Sequence, residues 1–223
     1  MTHQSRPTAT AAKPKLTRAE RNDEVKRRLF DAAAKVVGRL GYAEASVARI
    51  TDLAQVAQGT FYNHFQNRQE LLDNLLPTIG IEMIHFIQDR SNAAEPGVGK
   101  ENARFRAFFD FLQARPEFLR ILNEAEFFAP KGYQRHIDNI ATAYVRILKR
   151  GRDAGDVADY SDEELEAIVH LLMGARGYLS RRYAYGEDGS VAAAPEHVFT
   201  AYEKLIAGGL FRLRRPNGSG PSA

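Results

Sequence analysis

Residues Ser46 to Phe65 read SVARITDLAQVAQGTFYNHF. Ser46 is of the type that caps a helix N-terminus, and Val47, Ile50, Leu53 and Ala54 follow it at helical spacing. Gln55-Val56-Ala57 interrupts the period, and a second short run begins at Gln58. Two short helices joined by so brief a turn make a helix-turn-helix, a unit that sets its second helix into a major groove about 12 Å wide. The apolar positions Val47, Ile50, Leu53, Ala54, Val56, Phe61 and Phe65 can face one small core. Gln58, Thr60, Tyr62, Asn63 and His64 then stand outside on the second helix. That face offers an amide, hydroxyls and an imidazole, with no carboxylate to repel phosphate. A plain helical hairpin inside a bundle explains the apolar spacing equally well, but not the acid-free polar face.

Upstream, Thr17-Arg18-Ala19-Glu20 has the form of a capping box and opens a helix over 18–39. Its apolar residues run from Val25 through Leu29 and Val36 to Leu40, and Gly41 ends it. Residues 1–15 are rich in Ala, Thr and Pro, carry Arg6, Lys13 and Lys15, and predict a disordered basic arm. Charge is uneven. Residues 1–68 hold twelve Lys/Arg against six Asp/Glu, whereas the remainder is slightly acidic and the whole chain is +3. A segment that faces a polyanion fits this asymmetry, and so does chance clustering of solvated charge.

Downstream, Asn67-Arg68-Gln69-Glu70 is another cap signature, and Leu71, Leu72, Leu75, Ile79, Met83, Phe86 and Ile87 carry a long helix. Pro77 lies inside it and should kink or break it. Glu95 to Gly99 ends it. Further helices are expected over 100–114, 116–128 (opened by Pro116), 132–152, 161–184 (opened by a third capping box) and 195–212 (opened by Pro195). Residues 214–223 are Gly/Ser/Pro-rich and predict disorder. No period-two alternation appears, so the chain reads as all-α. The expected organisation is an arm over 1–15, a three-helix helix-turn-helix domain over 16–66, a helical domain over 67–213 and a tail over 214–223.

Several chemistries are excluded or weak. With no cysteine in 223 residues there is no disulfide framework, thiolate metal site or cysteine nucleophile. No apolar stretch approaches a membrane span, and the polar first fifteen residues carry no secretory h-region, so a cytoplasmic protein without membrane partners is expected. Gly97-Val98-Gly99-Lys100 lacks the glycine and hydroxyl of a P-loop, since Ala94 and Glu101 stand in their places. His85, His136 and His170 are isolated, so no metal is expected, and Ser180 lacks any nucleophile-elbow context. Neither a cofactor nor a catalytic set emerges.

The pattern Ser46-Val47, Ile50, Ala54, Val56, Gly59-Thr60-Phe61-Tyr62, His64-Phe65 and Leu71-Leu72 resembles the DNA-binding domain of the tetracycline-repressor-like (TetR) family over residues 18–75. Two positions depart from it. Gln55 stands where many members have a turn glycine, and Ala57 stands where a capping serine is common. Gln55 is therefore expected in a left-handed conformation, with Ala57 supplying no cap.

The resemblance implies base contacts from Gln58 and Thr60 and close backbone approach at Gly59. It also implies phosphate contacts from Tyr62, His64 and Arg68, with Ser46, Ala48, Arg49 and Asn63 beside them. It further implies a homodimer that binds a double-stranded operator and is released by a small-molecule effector. For the effector, Met83, Phe86, Phe105, Phe109, Phe118, Phe127, Tyr144 and Met173 are candidate cavity residues, with His136 and Arg106 as polar anchors; ordinary core packing is the competing account of these aromatics. For the dimer, Leu165, Ile168, Val169, Leu172, Val198, Tyr202 and Leu205 are the candidate interface. Two rival readings stay open: an all-α enzyme or carrier with a structural helix-turn-helix, and a non-specific nucleic-acid binder.

Overall fold

The computed structural model describes residues 17–186 and 190–210. The described residues fold into helices α1 (Arg18–Leu40), α2 (Val47–Ala54), α3 (Gln58–Tyr62), α4 (Arg68–Ser91), α5 (Val98–Ala114), α6 (Phe118–Phe128), α7 (Pro130–Asp153), α8 (Asp162–Tyr183) and α9 (Glu196–Gly208). An isolated bridge between Tyr185 and Val191 is their only extended pairing.

Local chemistry explains most boundaries. Thr17 and Glu20 form the capping box of α1, Asn67 caps α4 through the Glu70 amide, and Ser161 with Glu164 boxes α8. Helix α2 ends in a Schellman turn: the Val56 amide reaches back to the Thr51 carbonyl at 3.0 Å, and the Gln55 amide to Asp52 at 3.1 Å. That turn needs a left-handed residue, and Gln55 adopts φ 54, ψ 48. From α1, the Arg28 guanidinium donates to the carbonyls of Ala54 and Gln55, which holds the turn closed. Ala57 gives α3 no side-chain cap.

Several boundaries differ from the sequence reading. Helix α6 starts at Phe118, with Pro116 in the turn before it, and Pro130 takes the first position of α7 instead. Gly208-Gly209 ends α9, Gly209 adopting φ 68, well before residue 212. Helix α4 runs through Pro77 without breaking. Proline cannot donate to the carbonyl of Asp73. Arg135 of α7 donates to that oxygen at 3.1 Å instead. Gly132 packs onto the same carbonyl so closely that a Cβ there would lie 2.3 Å from the oxygen. The break is thus repaired by tertiary contacts that local sequence does not display. The arm over 1–15, with Arg6, Lys13 and Lys15, and the tail over 214–223 lie outside the described residues.

One continuous core joins the two expected domains. Leu29, Val37, Ile50 and Phe61 are fully buried with Leu71, Leu72 and Leu75 at the start of α4, and the same core continues into Phe105, Phe109, Phe118 and Ile121. A side chain such as Phe61 contributes about 1.5–3 kcal/mol by leaving water. Leu53, expected in this core, is exposed instead. Helices α4 and α5 are antiparallel neighbours, as the Phe86–Phe111 ring contact and the Arg115–Glu82 ion pair at 2.9 Å show. Helix α6 packs on α1 and α7, α8 on α7, and α9 on α5.

Candidate functional site

Two sites emerge, one at each end of α4. At the first, α1 and the turn after α2 present α3 to solvent. Phe61 and Phe65 pack beneath it, and Phe65 meets Phe30 of α1 edge-to-face at 5.4 Å. Gln58, Gly59, Tyr62 and Asn63 are exposed, while Thr60 and His64 are half-buried. Ser46 caps α2 through the Arg49 amide, and Ala48 and Arg49 lie exposed beside it. No acidic side chain stands on α3, whose sequence is QGTFY.

Two cations on this face are already engaged. Arg49 pairs with Glu44 and donates to its carbonyl at 2.7 Å. Arg68 donates to the carbonyls of Ala45 at 2.7 Å, Ala43 at 3.3 Å and Tyr42, tying the α1–α2 connection to α4. Arg68, a phosphate candidate from the sequence, thus also has a structural role. The carbonyls after α1 have no helical partner, and Arg68 is the donor that reaches them.

The second site is a cavity of about 460 Å³ among α4 to α8, within the range of small-molecule pockets. Met83, Phe118, His136, Tyr144 and Met173 line it as the sequence suggested. Phe86, Phe105, Phe109, Phe127 and Arg106 do not. Phe105 stacks on Tyr202 at 3.7 Å and meets Phe109, which packs on Phe199; these rings are core. Phe86 packs on Phe111 beneath Arg90, Phe127 is exposed, and Arg106 pairs with Glu196 at the surface. Helical periodicity places a residue on a buried face but does not say whether that face meets a neighbour or a void.

Sequence reasoning missed the polar end of the cavity. Glu101 of α5 is buried, and its Oε1 accepts from Arg176 at 2.6 Å, from Tyr202 at 2.7 Å and from Tyr144. Arg176 also donates to Tyr144 at 3.0 Å, and Arg104 lies 3.6 Å from Glu101 Oε2. Burial pushes the Tyr144 and Tyr202 phenols well above their ordinary range. For Arg176, burial opposes the charge, but Tyr144 and Glu101 beside it outweigh that and raise the guanidinium above its usual value. One signal was present: Arg176 is the only charge in the run AIVHLLMGARGYL over 167–179.

At the other end, His136 lies against Phe118 and Gly80 and is 3% exposed. Burial pulls its imidazole down to about 4. The unfolded chain protonates this group near 6.5, so the folded state gives up stability as pH falls. The contribution is complete above pH 6.5 and lost towards pH 4. It amounts to about 3 kcal/mol at most, of which about 2 kcal/mol is gone by about pH 5. Urea unfolding across this window should show the decline in the parent protein and a shallower one in His136→Gln. Equal slopes would show that His136 is not the titrating group.

The expected dimer residues divide. Leu165 and Val169 are fully buried against Tyr144 and Leu148 of α7, and Val198 and Tyr202 are buried in the main core, so these four are core within one chain. Ile168 and Leu172 are half-buried on the same inner side. Leu205 is 51% exposed, and it is joined by Leu171 and Tyr178, each 72% exposed. Ala167, Leu171, Gly174 and Tyr178 form one exposed stripe on α8, and Ala201 and Leu205 one on α9. No helix among the described residues is long and apolar enough to cross a membrane.

Comparison with known proteins gives three levels of likeness. Residues 29–75 match the family model of bacterial regulatory proteins, tetR family. An uncharacterized HTH-type transcriptional regulator of Bacillus subtilis, YhgD, is 32% identical over 155 residues, covering 66% of this chain and 79% of that protein. The fatty acid metabolism regulator protein of Bacillus subtilis is 38% identical over 142 residues, covering 56% of this chain and 71% of its own. Among solved structures, the transcriptional regulator FadR from Bacillus subtilis in complex with stearoyl-CoA superposes with a TM-score of 0.66 at 17% identity, covering 83% of this chain and 99% of that one. The last of these shows a shared fold.

Proposed function

The chain belongs to the tetR family of bacterial regulatory proteins, and from that premise we propose that it is a homodimeric repressor released from a pseudo-palindromic operator by an apolar effector. Regulation of transcription through DNA follows from the family. The observation that carries the effector part is the cavity of about 460 Å³ sharing two helices with the helix-turn-helix. Helix α4 contributes Leu71, Leu72 and Leu75 to the core around α2 and α3, and Met83 and Ile87 to the cavity wall. Helix α6 lines the cavity with Phe118 and Leu122 on one side. On its other side Arg120 donates to the Arg39 carbonyl at 2.9 Å, and Glu124 accepts from the Tyr42 amide at 2.8 Å. Gly38 lies so close to Glu117 that a Cβ there would stand 2.4 Å from the Glu117 Cβ. A ligand that displaces α6 therefore pulls on the end of α1 that carries the helix-turn-helix. It acts as an inducer only by its preference for the released spacing of the two recognition helices.

An acyl chain fits the apolar walls, and the similarity to a fatty acid metabolism regulator and to a fold that holds stearoyl-CoA supports that class. For DNA, the exposed α3 face supports Gln58 and Thr60 as base readers, with Tyr62 and His64 on phosphates. Ser46, Ala48, Arg49 and Asn63 border that face, and Arg68 acts by holding it in place. Gln58→Ala should relax specificity at one or two base pairs by about 1–3 kcal/mol each, measured on the selected operator and its point variants. Gly59 has no atom within 4 Å of where a Cβ would stand, so the fold does not require glycine there. Gly59→Ala should melt like the parent yet weaken operator binding by about 1–3 kcal/mol, the cost of forcing a methyl into a packed contact. Equal losses on specific and random duplexes for Gln58→Ala would remove it from the base-reading role.

A further inference from the structure

The cavity wall carries three arginines, Arg104, Arg176 and Arg181, and one acid, Glu126. Two of the arginines need no anion from the cavity: Arg176 is satisfied within the chain, and Arg181 is exposed to water. Arg181 donates to Asn123 at 2.9 Å, and Arg176 donates to Glu101, Tyr144 and the Leu172 carbonyl. Arg104 differs. Its side chain is 20% exposed, it makes no hydrogen bond among the described residues, and its one anionic neighbour is Glu101 Oε2 at 3.6 Å. Glu101 thus stands between two guanidiniums and can neutralise one of them. A partly buried surplus cation gains from an added anion, and a guanidinium with five N–H donors receives a carboxylate in a two-pronged bond.

The rest of the cavity points to what carries that anion. Arg104 sits in the second turn of α5, at the end of the α4–α5 pair away from the helix-turn-helix. His136, held neutral by burial, and Phe118 lie towards the opposite end, beside Gly80. Between them the walls are Met83, Ile84, Ile87, Leu122 and Ile140. The lining residues of α7 run from Tyr133 to Ile147, which spans about 21 Å along a helix. This is the shape of a chain rather than of a compact ring.

We propose that the cavity takes a long-chain carboxylic acid, whose carboxylate pairs with Arg104 and whose chain extends towards His136. The inference rests on the apolar-effector reading above and adds the charged head and its partner. A thioester of the same chain puts a neutral carbonyl where the acid puts its charge, so the two sources of an acyl chain are separable.

The test uses the full-length chain with three probes, palmitic acid, methyl palmitate and palmitoyl-CoA, titrated in a calorimeter and scored for operator release. The parent should bind the acid at least about tenfold more tightly than the ester, as a charge-assisted bond at this end requires. Arg104→Gln should remove that preference by weakening the acid alone, and Arg104→Lys should restore part of it. A matching melting temperature checks that each variant is folded. Equal binding of acid and ester by the parent, or tighter binding of the thioester than of the acid with Arg104→Gln unaffected, would overturn the carboxylate inference while leaving an acyl effector standing. If none of the three probes binds or releases the operator, the acyl-effector reading falls and this inference falls with it.

Discussion

Leu171→Asp is expected to produce folded monomers and to lower operator affinity by about a hundredfold or more, because two linked recognition helices bind with the avidity of a bivalent ligand. In the isolated chain Leu171 is 72% exposed, so an aspartate there meets water and costs the subunit little. In the proposed dimer the same position lies in the stripe Ala167, Leu171, Gly174, Tyr178, against the partner's copy and against Ala201 and Leu205 of α9. A charge buried there without a counter-ion would prevent assembly. The small residues Ala167 and Gly174 let the helices approach closely, and Gly174 has no atom of its own chain within 4 Å of where a Cβ would stand. Sedimentation gives the mass and a thermal melt gives the fold. Leu165→Asp is the contrasting change. Leu165 is fully buried against α7, so its aspartate should unfold the chain rather than split a dimer. A Leu171→Asp protein that stays dimeric and binds operator undiminished would move the interface elsewhere.

This contrast also shows where the sequence was legible. The helix-turn-helix could be read almost residue by residue because its constraints are local. Caps at Thr17, Ser46 and Asn67, a left-handed Gln55, and apolar spacing around Phe61 all act within a few residues of themselves. The half of the chain that holds the cavity is governed by contacts between distant helices. Periodicity marked α8 as amphipathic but could not separate its inner face, Leu165 and Val169, from its outer face, Leu171 and Tyr178. For the same reason it gathered Phe105, Phe109 and Phe127 with the true lining residues Phe118 and Tyr144. Glu101 entered the sequence reading only as a mismatch to a P-loop, and Arg104 did not enter it, because the inward face of their helix was assigned to phenylalanines. Their burial depends on α8 and α9 closing over α5, which no local pattern encodes. The rescue of Pro77 by Arg135 and Gly132 is of the same kind.

The buried acid supplies the second large effect. Glu101→Ala is expected to cost about 3–5 kcal/mol of stability, the usual penalty for stranding the partner of a buried ion pair. One carboxylate oxygen serves three donors, on α7, α8 and α9: Tyr144, Arg176 and Tyr202. Removing it leaves the Arg176 guanidinium, only 11% exposed, with a phenol and one main-chain carbonyl as its remaining acceptors. The two phenols lose their acceptor as well, and Arg104 loses its single anionic neighbour. Glu101→Gln keeps an amide oxygen in place but not the charge, so it should cost less, about 1.5–3 kcal/mol. Pairing Glu101→Leu with Arg176→Met removes both charges, and the double variant should be more stable than the sum of the singles predicts. Denaturant unfolding of the two single variants, the double variant and the parent closes the cycle. Because Tyr202 stands on α9 and Tyr144 and Arg176 line the cavity, the same variants should also loosen the tie between cavity wall and proposed dimer face. Operator binding measured with and without effector would then show a weaker response even where the folded fraction is kept high by temperature. A Glu101→Ala protein within about 1 kcal/mol of the parent would mean that the cluster is solvated rather than sealed, and the surplus charge assigned to Arg104 would lose its energetic basis.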